Sequence, residues 1–215
     1  MQPALDYLQA LNLEHTDRYL LGITGAPGAG KSFAANKLKE DLNSVAHKRY
    51  VEVLGMDGFH YSDEELKQIN LYDLKGVPDS FDKKGFLNKL QELNFVKDQI
   101  ITAPTFNRAK ECVQEDSLMI EPRHTLIIVE GNYLLLEDDT WCDISNFLNE
   151  IWYLESDLVT IRPRLIARHS DKGKDERWVI NKVNYCDIPN AKLVDSTRHL
   201  ANKILFWENS QLYVK

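Results

Sequence analysis

The sequence predicts an α/β fold, a parallel sheet covered by helices, on two observations. Short apolar runs alternate with segments of helical periodicity along most of the chain, and that alternation argues for a parallel sheet with right-handed crossovers. The run Thr125 to Val129 is continuously apolar, the signature of a strand covered on both faces. Taken in order, Leu5, Leu8, Leu11 and Leu13 recur at roughly helical spacing and predict a short amphipathic helix. Tyr19 to Thr24 reads as a buried strand ending at Gly25, and Lys31 to Leu42 as a helix with Phe33, Ala34, Leu38 and Leu42 on one side. A second strand is expected over Tyr50 to Met56. A helix is expected over Asp82 to Leu93, capped by Asp82, with Phe86, Leu87, Leu90 and Leu93 sharing a face. Ile151 to Leu154 is another strand candidate. Arg162 to Arg168 is a helix candidate with Pro163 in its first turn, Asn190 to His199 a further helix, and Lys203 to Trp207 a last strand.

The 215 residues suit one domain, 1–215. Acidic residues outnumber basic ones, 33 to 26, for a formal net charge of -7. A surface of that sign repels nucleic acid and anionic lipid, so neither is expected as a partner. Cys112, Cys142 and Cys186 are far apart and form no Cys-x-x-Cys pair, which suggests reduced thiols rather than a zinc site or disulfide framework. The N-terminal residues lack a charged region followed by an apolar stretch, so no signal peptide is expected. The best apolar run, Leu126 to Leu136, is broken by Glu130, Gly131 and Asn132 and is too short to span a bilayer. A cytoplasmic location is the expectation.

The strongest local signal is Gly25-Ala26-Pro27-Gly28-Ala29-Gly30-Lys31-Ser32, a full match to G-x-x-x-x-G-K-[ST] lying after a strand and opening a helix. In such a loop, backbone N–H groups turn inward on phosphate oxygens and the helix N-terminus adds partial positive charge. Lys31 can reach the β- and γ-phosphates, and Ser32 can ligate Mg²⁺. Phe33 follows directly. The next strand ends in Met56-Asp57-Gly58-Phe59-His60-Tyr61. Carboxyl ends of neighbouring parallel strands converge on one crevice, so Asp57 is expected beside the γ-phosphate, where it can take a proton from an acceptor hydroxyl. Read alone, an Asp after a strand is more often a turn or cap residue. His60 and Tyr61 could bond a polar substrate or simply line a pocket wall. Glu130 ends the buried run before Asn132, where an acidic residue near Mg²⁺ is expected. Between Arg162 and Arg177 lie six cations, Arg162, Arg164, Arg168, Lys172, Lys174 and Arg177, against Asp171, Asp175 and Glu176. Arg164 and Arg168, four apart, would share a helical face. The stretch is expected to be a lid, hinged near Gly173, that closes cations over a transferring phosphoryl group; a solvated charged face is the plainer alternative.

These motifs together resemble the phosphoribulokinase/uridine kinase family of P-loop kinases, which includes bacterial-type pantothenate kinase. The likeness is nearest to a bacterial subgroup of nucleoside kinase-like and fructose-transport-associated kinase-like proteins. It runs from about Tyr19 to Trp207 through GAPGAGKS, MDGFHY, GVPDSFD at 76–82, PTFNR at 104–108, IIVEGNYLLL, the Arg164–Arg168–His169 segment and DIPNAKLV. The resemblance implies a P-loop NTPase fold of three α/β/α layers with a five-stranded parallel sheet and a small lid at about 162–177. It implies Asp57 as catalytic base, with Lys31 and Arg168 acting on the phosphoryl group. It implies nucleotide contacts over residues 25–33 with Arg164 and Arg168, and Ser32 and Glu130 at Mg²⁺. It further implies that Phe81, Asp82, Phe106, Arg108 and Tyr133 face the acceptor, alongside Glu130 and Asn132. Asn107 stands where the family more often has Asp. The expected partners are ATP, Mg²⁺ and a small alcohol (a sugar, nucleoside, pantothenate-like or related metabolite), handled by a monomer or homodimer. The competing expectation is a nucleotide-hydrolysing switch or chaperone. Against it, Asn181-Lys-Val-Asn184 and Asn202-Lys-Ile-Leu205 lack the Asp of a guanine-reading motif. Asp73-Leu-Lys-Gly76 and Asp82-Lys-Lys-Gly85 follow no convincing strand.

Overall fold

The structure, a computed structural model, describes residues 1–11, 13, 18–46, 50–138, 140–171 and 173–215. Its strands are β1 (Gln2–Pro3), β2 (Tyr19–Thr24), β3 (Val51–Gly55), β4 (Ile101–Asn107), β5 (Cys112–Ile120), β6 (Leu126–Glu130), β7 (Glu150–Leu154), β8 (Lys203–Glu208) and β9 (Gln211–Val214). Its helices are α1 (Ala4–Ala10), α2 (Lys31–Val45), α3 (Asp63–Gln68), α4 (Lys83–Phe95), α5 (Trp141–Ile144), α6 (Leu158–Ser170), α7 (Glu176–Lys182) and α8 (Ile188–Ser196). The main sheet runs β1-β9-β8-β7-β2-β6-β3, and the five strands from β8 to β3 are parallel. The expected five-stranded parallel sheet is therefore its centre. It extends at one edge through β9 and β1, both antiparallel.

Alternation along each central strand explains the layering. Leu21, Ile23, Leu126, Ile128, Trp152 and Leu154 pack on the face that carries α1 and α2. Leu20, Ile127, Val129, Ile151 and Tyr153 pack on the opposite face, against Phe86, Leu90 and Leu93 of α4. A sheet buried on both faces needs a helical layer on each.

Several expectations are corrected. Lys203–Glu208 is not the last strand, because Asn209 and Ser210, both at positive φ, turn the chain back into β9. Pro163 lies in the second turn of α6, since the helix starts four residues before Arg162, at Leu158, with the Asp157 carboxylate accepting from Thr160 N–H at 2.6 Å. The β4–β5 hairpin was not expected. Pro104 interrupts the apolar pattern of β4, and the register shifts there, between Ala103 and Thr105. The Asp82 cap is present as expected and accepts from Gly85 N–H at 2.9 Å.

Candidate active site

A cavity of about 420 Å³ opens over the carboxyl ends of β2, β3 and β6. Residues 25–30 connect β2 to α2, and Gly30 caps α2 at φ 98°, a conformation that side chains with a Cβ rarely adopt. Lys31 then lies in the first turn of α2 with its ammonium folded back into the loop. It donates to the carbonyls of Gly25 at 2.9 Å and Ala26 at 3.1 Å, and to Asn132 Oδ1 at 2.6 Å. Burial pulls Lys31 down from 10.5 to about 8, against the opposing charges of Glu130 and Asp57. Asn132 is delivered by the segment after β6, which is tied to the loop's own strand. Gly131 N–H donates to the Ile23 carbonyl at 3.1 Å, and Thr24 Oγ1 donates to the Asn132 carbonyl at 2.9 Å.

Ser32 Oγ donates to Glu130 Oε1 at 2.9 Å. Burial and the nearby Asp57 charge raise Glu130 above its ordinary range, with Lys31 and the Ser32 bond opposing. No cluster of three His, Cys, Asp or Glu side chains suited to a metal occurs among the described residues. A hydroxyl beside a carboxylate, both hard oxygen donors, does suit a Mg²⁺ ion that takes its other ligands from water and phosphate.

Asp57 stands in the turn after β3, and Gly58 shows why that turn sits where it does. A Cβ at Gly58 would lie 2.4 Å from the Pro104 carbonyl oxygen, so the hairpin backbone rests directly on the turn. The hairpin brings Arg108 to Asp57, with Nη2 donating to Oδ2 at 2.9 Å. Burial pushes the Asp57 carboxyl up, but His60, Arg108, Arg168 and Lys31 outweigh it and leave Asp57 below its ordinary value. Its carboxylate is thus held ionised by a ring of cationic and polar groups. His60 is placed by a bond to the Asp57 carbonyl at 2.9 Å and by ring contacts with Phe81 (centroids 4.0 Å apart) and Phe106 (5.2 Å).

The cavity is lined by Pro27, Gly28, Gly30, Lys31, Ser32 and Phe33, with Arg164 bonded to the loop and Arg168 near Asp57 and Arg108. Asp57, His60, Phe81, Phe106, Arg108, Glu130 and Asn132 also line it. Three expected acceptor contacts lie elsewhere. Tyr133 is 1% exposed, and its hydroxyl donates to the Gly76 carbonyl at 2.5 Å beneath the wall. Asp82 is occupied as the α4 cap. Tyr61 is not in the cavity lining; burial and the Asp82 and Glu65 charges raise its phenol. The basic stretch is also divided. Arg164, Arg168 and Lys174 line the cavity, whereas Arg162 donates to Asn184 Oδ1 at 2.6 Å and Arg177 is not in the lining. Lys172 lies outside the described residues. Lys75, His169, Lys182, Asp187 and Asn190 join the lining without having been expected as site residues. The only signal for the last two was their place in DIPNAKLV.

No protein-family model matches the chain. A Schizosaccharomyces pombe protein that carries the name uridine kinase is 31% identical over 189 residues, 85% of this chain and 80% of its own length. The chain belongs to the phosphoribulokinase/uridine kinase family of P-loop kinases. The pantothenate kinase of Limosilactobacillus fermentum is 33% identical over 70% of this chain, which spans about half (49%) of that relative. Among solved structures, a protein of Silicibacter sp. TM1040 described as a fructose transport system kinase superposes with a TM-score of 0.82. It is 29% identical and matched over 94% of this chain and 95% of its own. This kinase is accordingly an ATP-dependent phosphotransferase acting on an alcohol. None of its helices among the described residues is long and apolar enough to cross a membrane.

Proposed function

We propose that the protein binds ATP with Mg²⁺ at residues 25–33 and transfers the γ-phosphate to one hydroxyl of a small metabolite held against His60, Phe81 and Phe106. One observation carries this reading: Lys31 and Asp57 line the same cavity and lie close enough to shift each other's ionisation. The acceptor oxygen attacks the γ-phosphorus, the bond to the β–γ bridging oxygen breaks, and the hydroxyl proton passes to the Asp57 carboxylate. Lys31 and Arg168 stabilise charge on the transferring group, and Arg164 holds the phosphate loop through the carbonyls of Gly28 and Ala29, both at 3.4 Å. Mg²⁺, held by Ser32 with Glu130 beside it, would neutralise the β- and γ-phosphate oxygens. A second cleft shares Arg164 and is lined by Glu155, Ser156, Phe206 and Trp207 at the carboxyl ends of β7 and β8. We assign it to the nucleotide's base. The segment 162–177 acts as the lid of a single catalytic domain working in the cytoplasm.

The test is ADP release with Mg²⁺-ATP across sugars, nucleosides, pantothenate and glycerate. Release that depends on one alcohol is expected. Steady release with no acceptor would instead favour a nucleotide-hydrolysing switch that acts through a partner.

A further inference from the structure

Arg168 and His169 lie in the last turn of α6, which ends at Ser170. Helix ends fray, because their final carbonyls lack partners within the helix. A guanidinium that must meet a phosphoryl group in a fixed geometry needs that turn held from outside. His169 supplies the hold. It is 8% exposed, with Nε2 at 2.8 Å from Asp187 Oδ2 and an edge-to-face contact to Trp178 (centroids 5.7 Å apart). A carboxylate oxygen accepts, so Nε2 carries the proton of this bond.

Asp187 is itself firmly placed. It closes the π-turn Val183–Asp187, which leads from α7 into α8. On either side of that turn the chain is bonded to the loop before Val77. Lys182 donates to the carbonyls of Asp73 at 3.0 Å and Lys75 at 2.8 Å, and Asn190 donates to that of Gly76 at 3.1 Å. Arg168, His169 and Asp187 all line the cavity. Burial and Arg108 lower Arg168, while the charges of Asp57 and Asp187 oppose that shift.

A second observation separates His169 from ordinary packing. Its Nδ1 is buried and has no partner among the described residues. A buried, unsatisfied nitrogen costs stability. Packing alone would be served better by carbon there, so the nitrogen that the site uses is the one bonded to Asp187.

We propose that Asp187 and His169 are positioning residues for phosphotransfer: the bond between them fixes the last turn of α6 and so aims Arg168 at the γ-phosphate. This rests on the phosphotransfer reading above and adds two residues to it.

The experiment measures, by calorimetry on the full chain, the affinities for Mg²⁺-ADP and for Mg²⁺-AMP-PNP, an ATP analogue that resists transfer of its γ-phosphate. The ratio of the two reads the γ-phosphate contact and needs no acceptor. Arg168→Ala should lower the ratio about tenfold, as loss of one charge-assisted hydrogen bond implies. His169→Phe, which keeps a ring against Trp178 but has no donor, should lower it severalfold with ADP affinity unmoved. Asp187→Ala should do the same. His169→Gln, whose amide nitrogen can donate from the place of Nε2, should recover most of the loss. With Arg168→Ala already present, His169→Phe should lower the ratio no further. A ratio unmoved in both His169→Phe and Asp187→Ala, or an equal loss with and without Arg168, would overturn the inference and leave phosphotransfer standing. A ratio unmoved in Arg168→Ala would remove that residue from the γ-phosphate, and the inference with it. Failure of the wild-type chain to bind Mg²⁺-AMP-PNP would overturn the phosphotransfer reading and the inference together.

Discussion

The two ends of the cavity are built in different ways. The end we assign to the nucleotide is one continuous stretch, residues 25–33, in which Lys31 folds back onto its own loop. The acceptor end is assembled from β3's turn, the Phe81 segment, the β4–β5 hairpin and the α6–α8 region, meeting only through tertiary packing. Between them, Arg168 lines the cavity beside Asp57 and Arg108. The second end ties Lys75, Lys182 and Arg108 to carboxylates and carbonyls of its own wall. A phosphate-gripping device can be inherited as a local motif, whereas an acceptor wall must be composed from many segments.

The sharpest way to break this contrast is at the nucleotide end. Lys31→Ala should cut kcat/KM for ATP by roughly 10²-fold or more, because it removes a buried charge aimed at the phosphates. ATP affinity and transfer should fall together in steady-state kinetics; an unchanged ATP-dependent rate would contradict the role given to this end.

At the seam between the ends, Gly58→Ala should cost about 1–3 kcal/mol of stability, since a Cβ 2.4 Å from the Pro104 oxygen forces the hairpin away from the turn. Thermal unfolding should show a fall of several degrees. A melting point equal to wild type would mean the hairpin is not seated on the turn.

A smaller effect is expected in the clamp on the acceptor wall. Asn190 Nδ2 donates to the Gly76 carbonyl at 3.1 Å, and Lys182 fixes the carbonyls just before it. Asn190→Ala should raise the acceptor KM severalfold with the ATP KM unmoved, the cost of one lost hydrogen bond. Equal rises in both constants would show that the two ends are not separable.

The smallest effect is one of pH. Lys31 in the free enzyme sits at about 8, and phosphate favours its charged form. ATP binding should therefore take up a proton, and affinity should fall as pH rises, by about threefold between pH 7.5 and 8.5. Calorimetry in buffers of different ionisation enthalpy reads that proton directly. Affinity that is flat or rising across this range would count against a buried, depressed ammonium.

The same contrast accounts for what could be read in the sequence. The strand–loop–helix that starts at Tyr19 is dictated by local pattern and glycine placement; the strand and the helix start stand where expected, and the helix runs on past the expected Leu42 to Val45. Asp57 and Glu130 were legible because a parallel sheet brings strand ends together whatever the side chains between them. Tyr133 was misjudged because its position beside Asn132 says nothing about direction. Its ring instead packs in the core against Phe81 and Trp141. Asp82 serves both as a motif residue and as a cap, and the cap claims its carboxylate. The roles of Lys182 and Asn190 were hidden because their partners are carbonyls more than 100 residues away. A five-residue π-turn at Val183–Asp187 also shifts the helical phase between them.

The account depends most on Asp57 acting with, but separately from, the phosphate grip. The direct test is Asp57→Asn, with ATP affinity measured by calorimetry and phosphoryl transfer measured in a single turnover on the same sample. ATP should bind within a few-fold of wild type while the transfer step slows by roughly 10²-fold or more. A transfer rate within a few-fold of wild type would contradict the account.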